Sequence, residues 1–264
     1  MVNHENNGIS ILLATYNERD NMKPLVEAIR ETVKPFNIPF EIIIVDDNSP
    51  DGTPEVIKDL DIKYQEVKAF VRMNERGLAS AFWHGIQEVK FTHTIIMDSD
   101  FSHPPEDISR LISGLTDGVD MVWASRYVKN GEMECSGSKR VQYYLSRLFN
   151  LFLQLFLMIP VTDSTGSFFV LKTKYLKLSN PDVIFNGYGD FGFKLAYLLK
   201  KKKANIKEIP FVYKERICGE SKTNMLKVSW LYLKECVKVR FAKNLIINDS
   251  IENSCLDGVK KKLG

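Results

Sequence analysis

The chain has no apolar run of the roughly 18 to 20 residues that a bilayer-spanning helix requires, so any contact with a membrane is expected at its surface. Its first residues, MVNHENNG, are polar and carry no hydrophobic core of a signal peptide. Cysteine is scarce and scattered. Cys135, Cys218, Cys236 and Cys255 form no C-x-x-C pair and no histidine-linked spacing, which argues against a thiolate metal site and for a reduced, cytosolic environment. A net charge of +3 is too small to suggest a nucleic-acid partner, although the basic residues gather in the C-terminal half. No G-x-G-x-x-G follows the first apolar run and no Walker A lysine loop occurs, so neither a dinucleotide fold nor a P-loop is indicated.

What the 264 residues do contain is 44% hydrophobic residues, enough for one sizeable core. Ile9 to Ala14 is a short apolar run with no room for a helix before TYNERDN, and reads as a buried parallel strand. Asn17 or Asp20 is placed to cap a helix from about Met22 to Val33, with Leu25, Val26 and Ile29 on its apolar face. Phe40 to Val45 is a second buried strand, stopped by DDNSPDGTP, whose end opens another helix near Thr53. Val67 to Arg72 is a third strand, GLASAFWHGIQEV a third helix, and Thr94 to Met97 a fourth strand. Strands alternating with helices predict an α/β chain with a doubly wound, mostly parallel sheet, whose ligands bind beyond the carboxyl ends of the strands.

The polar clusters fall at those ends. Glu18 follows the first strand, Asp46 and Asp47 the second, Arg76 and Gly77 the third, and the fourth runs into TIIMDSDFSH. Strand residues alternate in direction, so Asp98 and Asp100, with Ser99 between them, can both face one crevice. Two carboxylates so close call for a cation, and hard oxygen donors suit Mg²⁺ or Mn²⁺ bound with substrate phosphates; Ser102 is a further candidate oxygen. Arg126 follows the apolar run MVWAS, where its guanidinium would meet phosphate oxygens in a fork.

The strings ATYNERDNM, IIIVDDNSPDGTPE, RGLASAFWHGI, IIMDSDFSHPPEDI, ASRYVKNGEME, DSTGSFFVLK and ERICGESK, in this order, resemble the polyprenyl-phosphate mannosyltransferases. Within the inverting GT-A glycosyltransferases of family 2, the likeness is greatest to dolichyl-phosphate mannose synthases, and covers roughly Ile9 to Val239. The resemblance implies a Rossmann-like GT-A fold and transfer of mannose from GDP-mannose to dolichyl or another polyprenyl phosphate. It places Ala14, Tyr16 and Glu18 along the nucleotide, Val45 and Asp47 on the base and ribose side, and Asp98 and Ser99 against the sugar nucleotide. It assigns the metal to Asp98, Asp100 and Ser102, donor closure to Arg216 and Lys222, and the acceptor phosphate to Arg126 and Arg140. The chain departs from the pattern in Ala14 for a usual proline, Ser99 for alanine, Ala79 for glycine and Tyr144 for a serine near the acceptor phosphate. Gly189 to Gly192 also differs, leaving Asp190 as either the N-cap of FGFKLAYLLKK or a catalytic base for another acceptor class.

Residues 1–221 read as the catalytic domain, 222–243 as a basic amphipathic helix and 244–264 as a weakly ordered polar tail. Lys139 to Val161 is basic in its first half and apolar in its second, which suits a helix in the headgroup region but also a buried core helix. From Met225 to Lys243, aromatic and basic residues interleave. Lys200 to Lys203 reads as a solvated helix end. The expected protein is thus peripheral on the cytoplasmic face of a membrane, the endoplasmic reticulum in a eukaryote, with room for a small membrane-anchoring subunit. A phosphate acceptor, already ionised near neutral pH, needs no strong base, in keeping with the missing Q-x-x-R-W string of hydroxyl-directed synthases. The alternatives are a UDP-sugar enzyme on the same fold and, in another class, a sugar-nucleotide-binding subunit without activity, against which the two intact acids count.

Overall fold

The computed structural model describes residues 6–134, 138–187, 189–214 and 225–247. In chain order the elements are β1 (Ile9–Thr15), α1 (Arg19–Val33), β2 (Phe40–Asp46), α2 (Thr53–Lys63), β3 (Val67–Val71), α3 (Leu78–Glu88), β4 (His93–Asp98), α4 (Ile108–Gly114), β5 (Met121–Ser125), β6 (Glu132–Met133) and α5 (Ser138–Leu157). They continue as β7 (Phe169–Lys172), α6 (Thr173–Leu178), α7 (Pro181–Ile184), α8 (Phe191–Lys201), β8 (Ile206–Pro210), β9 (Val212–Tyr213) and α9 (Met225–Phe241).

Seven strands form one sheet in the order β3-β2-β1-β4-β7-β5-β8, parallel except at β7, which runs antiparallel to both β4 and β5. β6 and β9 make a separate two-stranded pair. The central strands are buried on both faces, and their alternation divides the core in two. Leu12, Ile43, Ile96 and Trp123 pack with α3, α5, α8 and α9 on one side. Ile11, Leu13, Ile42, Ile44, Ile95 and Met97 pack with α1, α2 and α4 on the other.

The four strands and three helices expected in the first half are present, with ends moved by a few residues. α1 buries Leu25, Val26 and Ile29 as expected, but neither Asn17 nor Asp20 caps it: Glu18 stands at the cap position, and the Asn17 N–H donates to Ser49 Oγ at 2.8 Å. The first residues of the polar tail, as far as 247, pack on the domain. Leu245 is buried, Ile246 bridges to Ser179, and the Ile247 N–H donates to the Leu178 carbonyl at 3.1 Å, because this stretch adds main-chain bonds beside α6.

Of Lys139 to Val161, the part as far as Leu157 is helix, α5, and only partly buried. Leu153, Leu157, Ile159 and Val161 are core residues, whereas Val141, Tyr144, Leu145, Leu148, Leu151, Leu155 and Met158 are exposed, so the outer face of α5 is apolar and uncovered among the described residues. On α9, Trp230, Leu231, Val237 and Phe241 are exposed, while Cys236 and Val239 face inward. Arg240 donates to the Phe156 carbonyl and Lys200 Nζ to the Leu157 carbonyl at 3.0 Å, tying both neighbouring helices to the end of α5. Lys200 is therefore not merely solvated.

Candidate active site

The carboxyl edge of the sheet gathers the predicted donor-side residues through strand register. Ala14 on β1 is paired with Val45 on β2 and with Asp98 on β4, and Thr15 with Asp46, so three loops leave the sheet side by side. Ser99 Oγ donates to the Ala14 carbonyl at 3.0 Å, fastening the loop after β4 to the end of β1. Ala14 and Val45 themselves are core residues, which leaves their backbones, rather than their side chains, to meet a ligand. Tyr16 is exposed with the Arg76 guanidinium 4.8 Å from its ring centre. Glu18 Oε2 accepts from Asn21 Nδ2 at 2.6 Å.

Asp47 is committed to the protein. Its Oδ1 accepts from Arg72 Nε and Nη2 at 2.8 and 2.5 Å, and its Oδ2 accepts from the Gly77 N–H at 2.8 Å. Asp47 therefore organises the turn before α3, at the edge where the base and ribose side is expected. Gly77 has φ of +142°, a backbone that a side chain would strain, and Arg72 also reaches its carbonyl. Asp46 is likewise spent on Ser49, whose N–H and hydroxyl both donate to it, and burial pushes its carboxyl above the usual range.

The acid pair ends β4. Asp98 Oδ1 accepts from Ser167 Oγ at 2.8 Å. Asp100 is buried and its Oδ1 accepts from the Ser102 N–H and hydroxyl at 3.1 and 2.5 Å. Ser102 is fully buried against Asp100. Burial pushes the Tyr213 phenol up, and Asp98 and Asp100 push it further, which reports the negative field between these groups. That field and two hard carboxylate donors fit a divalent cation of the Mg²⁺ or Mn²⁺ type. Among the described residues, no three His, Cys, Asp or Glu side chains form a cage without a ligand's help.

Arg126 lies just past β5 on the other flank. Its Nε and Nη2 donate to the two oxygens of Asp163 at 2.7 and 2.6 Å, and its N–H donates to the same carboxylate at 2.9 Å. Burial works against the charge, but Asp163 raises the guanidinium's pKa above its ordinary value. The guanidinium carbon is 5.1 Å from the Tyr127 ring centre and 5.3 Å from that of Tyr213, the tyrosine that senses the acid pair. Arg126 thus shares a wall with Asp98 and Asp100, with one nitrogen of its fork not used by Asp163. Arg140, in the first turn of α5, is exposed. Tyr144 is exposed and lines a cavity of about 380 Å³ with Tyr127, Arg147, Leu148, Leu151, Gln154 and Thr162. Arg216 and Lys222 lie outside the described residues.

Asp190 precedes α8 as a cap residue should, yet its side chain makes no capping bond. It pairs with the buried Lys194, whose Nζ also meets Glu235 Oε2 at 2.9 Å and the Asn186 carbonyl at 2.7 Å. This joins α8 to α9. Four partners were missed from the sequence, namely Arg72, His103, Asp163 and Ser167. Three of them lie inside the quoted strings, but the contacts that give them their jobs span up to 69 residues.

A parallel sheet with an acid pair and flanking arginine at its carboxyl edge is the build of a GT-A glycosyltransferase, an enzyme class acting on sugar nucleotides. The glucosyl-3-phosphoglycerate synthase of Mycobacterium tuberculosis, solved with Mn²⁺, uridine diphosphate and its product, shares this fold at a TM-score of 0.63 and 15% identity, over 89% of this chain and 80% of that one. The chain matches the glycosyl transferase family 2 model over residues 10–178, and it belongs to that family. It is 34% identical to the dolichol-phosphate mannosyltransferase of Pyrococcus furiosus over 81% of its own length, spanning 58% of that protein. It is 32% identical to the enzyme of the same name from Saccharomyces cerevisiae, covering 90% of each chain, and to that of Mycosarcoma maydis over 87% of this chain and 78% of that one.

Proposed function

We propose that this chain transfers mannose from GDP-mannose to dolichyl or another polyprenyl phosphate, with inversion at the anomeric carbon. The observation that carries the reading is the Asp98–Asp100 pair at the sheet edge, in a chain whose relatives along most of its length are named dolichol-phosphate mannosyltransferases. Asp98 and Asp100 would hold Mg²⁺ or Mn²⁺, which when bound neutralises charge on the departing diphosphate. Tyr16 and Glu18 would border the nucleotide, with Arg216 and Lys222 closing over it.

A phosphate monoester has a second pKa near 6 and is largely dianionic at neutral pH. The acceptor oxygen forms its bond to C1 as the bond from C1 to the diphosphate breaks on the opposite face, releasing GDP. The enzyme's task is alignment, and Arg126 and Arg140 are the groups that would supply it. Arg126, held by Asp163, is preorganised for a single further contact.

The acceptor's tail lies in a bilayer, and among the described residues no helix is long and apolar enough to cross one. The uncovered apolar faces of α5 and α9, with Lys234, Lys238 and Arg240 beside the latter, support peripheral attachment to the cytoplasmic face of a membrane, the endoplasmic reticulum in a eukaryote. A small membrane subunit would fit the same surface.

The test is a donor screen with purified protein, dolichyl phosphate and Mn²⁺. GDP-mannose should be the donor consumed, with the β-linked lipid product formed. Turnover with UDP-glucose alone would transfer the reading to the UDP-sugar alternative, and no turnover with any sugar nucleotide would refute it.

A further inference from the structure

We propose that His103 is a positioning residue that sets the Asp98 carboxylate for the donor's cation and diphosphate. The inference rests on Asp98 and Asp100 being the donor-binding pair. His103 is 2% exposed and does not itself border the crevice. Its Nδ1 accepts the Asp98 N–H at 2.9 Å, which requires the ring hydrogen on Nε2, and Nε2 stands 3.6 Å from Asp98 Oδ2. One imidazole therefore binds the backbone of Asp98 and lies beside the carboxylate of the same residue, beyond hydrogen-bond distance. Ser167 holds the other oxygen, Oδ1, from β7's approach.

The ring cannot swing away. It stacks on Phe168 at 4.8 Å and 9°, with Phe211 and Tyr213 edge-on at 5.7 and 5.8 Å. The turn it closes needs such a tie, because Phe101, between Asp100 and Ser102, has φ of +63°, a left-handed backbone that persists only where the surroundings dictate it. Asp100 has its own brace in Ser102. His103 is the matching brace for Asp98, and its sequence signal is the His five residues after the first acid. Groups behind a metal ligand typically change metal affinity by about 10- to 100-fold when removed.

The test compares His103→Phe, which keeps the aromatic packing but loses both nitrogen contacts, with His103→Asn, which keeps an acceptor near the Asp98 N–H and loses the group facing Oδ2. Folding is checked by circular dichroism, Mn²⁺ affinity by calorimetry with GDP present, and exchange of the Asp98 amide by NMR. In a folded His103→Phe protein, Mn²⁺ affinity should fall about tenfold or more and the Asp98 amide should lose protection. A folded His103→Phe protein with wild-type Mn²⁺ affinity overturns the proposal. Should that variant not fold, His103→Asn decides: weakened Mn²⁺ binding supports the role and unchanged binding overturns it. If wild type binds neither Mn²⁺ nor Mg²⁺, the donor-pair reading fails and this inference with it; if wild type binds and the variants match it, only this inference fails.

Discussion

Asp163, with no exposed surface, clamps Arg126 through both of its oxygens across 37 residues of sequence. The clamp aims the guanidinium at the wall of the site and uses two of its three nitrogens. It also makes Arg126 a structural residue, since a carboxylate buried beside it cannot be left alone.

Arg126→Ala should therefore do two things, and Arg140→Ala only one. Loss of Arg126 strands the Asp163 charge and should cost about 3–5 kcal/mol of stability, with acceptor use lost as well. Exposed Arg140 should change stability by no more than about 0.5 kcal/mol while raising the acceptor KM. Urea unfolding beside acceptor titrations at saturating GDP-mannose separates the two. Equal stability losses in both variants would contradict the burial argument.

Asp47→Asn tests whether this acid serves the turn or the ligand. The variant keeps an oxygen for the Gly77 N–H but removes the charge facing Arg72, and should lose about 1.5–3 kcal/mol, the worth of hydrogen bonds to a charged group. The donor KM should rise as the Gly77 turn loosens. A rise in donor KM with wild-type unfolding would instead mean that Asp47 meets the nucleotide directly.

The two sides of α5 should respond oppositely to loss of their leucines. Replacing exposed Leu148, Leu151 and Leu155 together should abolish pelleting with anionic liposomes and leave the unfolding midpoint nearly unchanged. Leu153→Ala, on the buried side, should cost about 2–5 kcal/mol and leave liposome binding intact wherever the protein is folded. A triple variant that still pelleted would move the attachment to α9 or to a partner.

Burial pushes the Cys236 thiol from 9.0 up to about 11, favouring its neutral form in the folded chain. The stability linked to this shift is fully present below about pH 9 and is lost as pH rises through about 11. The thermal midpoint of wild type should decline across that window, and Cys236→Ala should decline less. A thiol that reacts with iodoacetamide in native protein at pH 8 as fast as in denaturant would contradict its burial.

The sequence by itself determined the alternating strands and helices, the break of each apolar run at the sheet's carboxyl edge, and the acid pair after β4. These depend on local signals: runs of β-branched residues, turn formers, and a two-residue alternation that any strand imposes. The family could be read for the same reason, because its strings sit in those loops. Tertiary structure alone decided that Phe169–Lys172 enters the sheet antiparallel between β4 and β5, since no local signal specifies a neighbour. That insertion brings Ser167 to Asp98, just as the chain between β5 and β7 brings Asp163 to Arg126. It likewise decided which donors reach each acid. Asp46, Asp47, Asp98 and Asp100 look alike in sequence, but a carboxylate's role follows from the donors that reach it, and for Asp47 and Asp98 those lie on other elements of the fold.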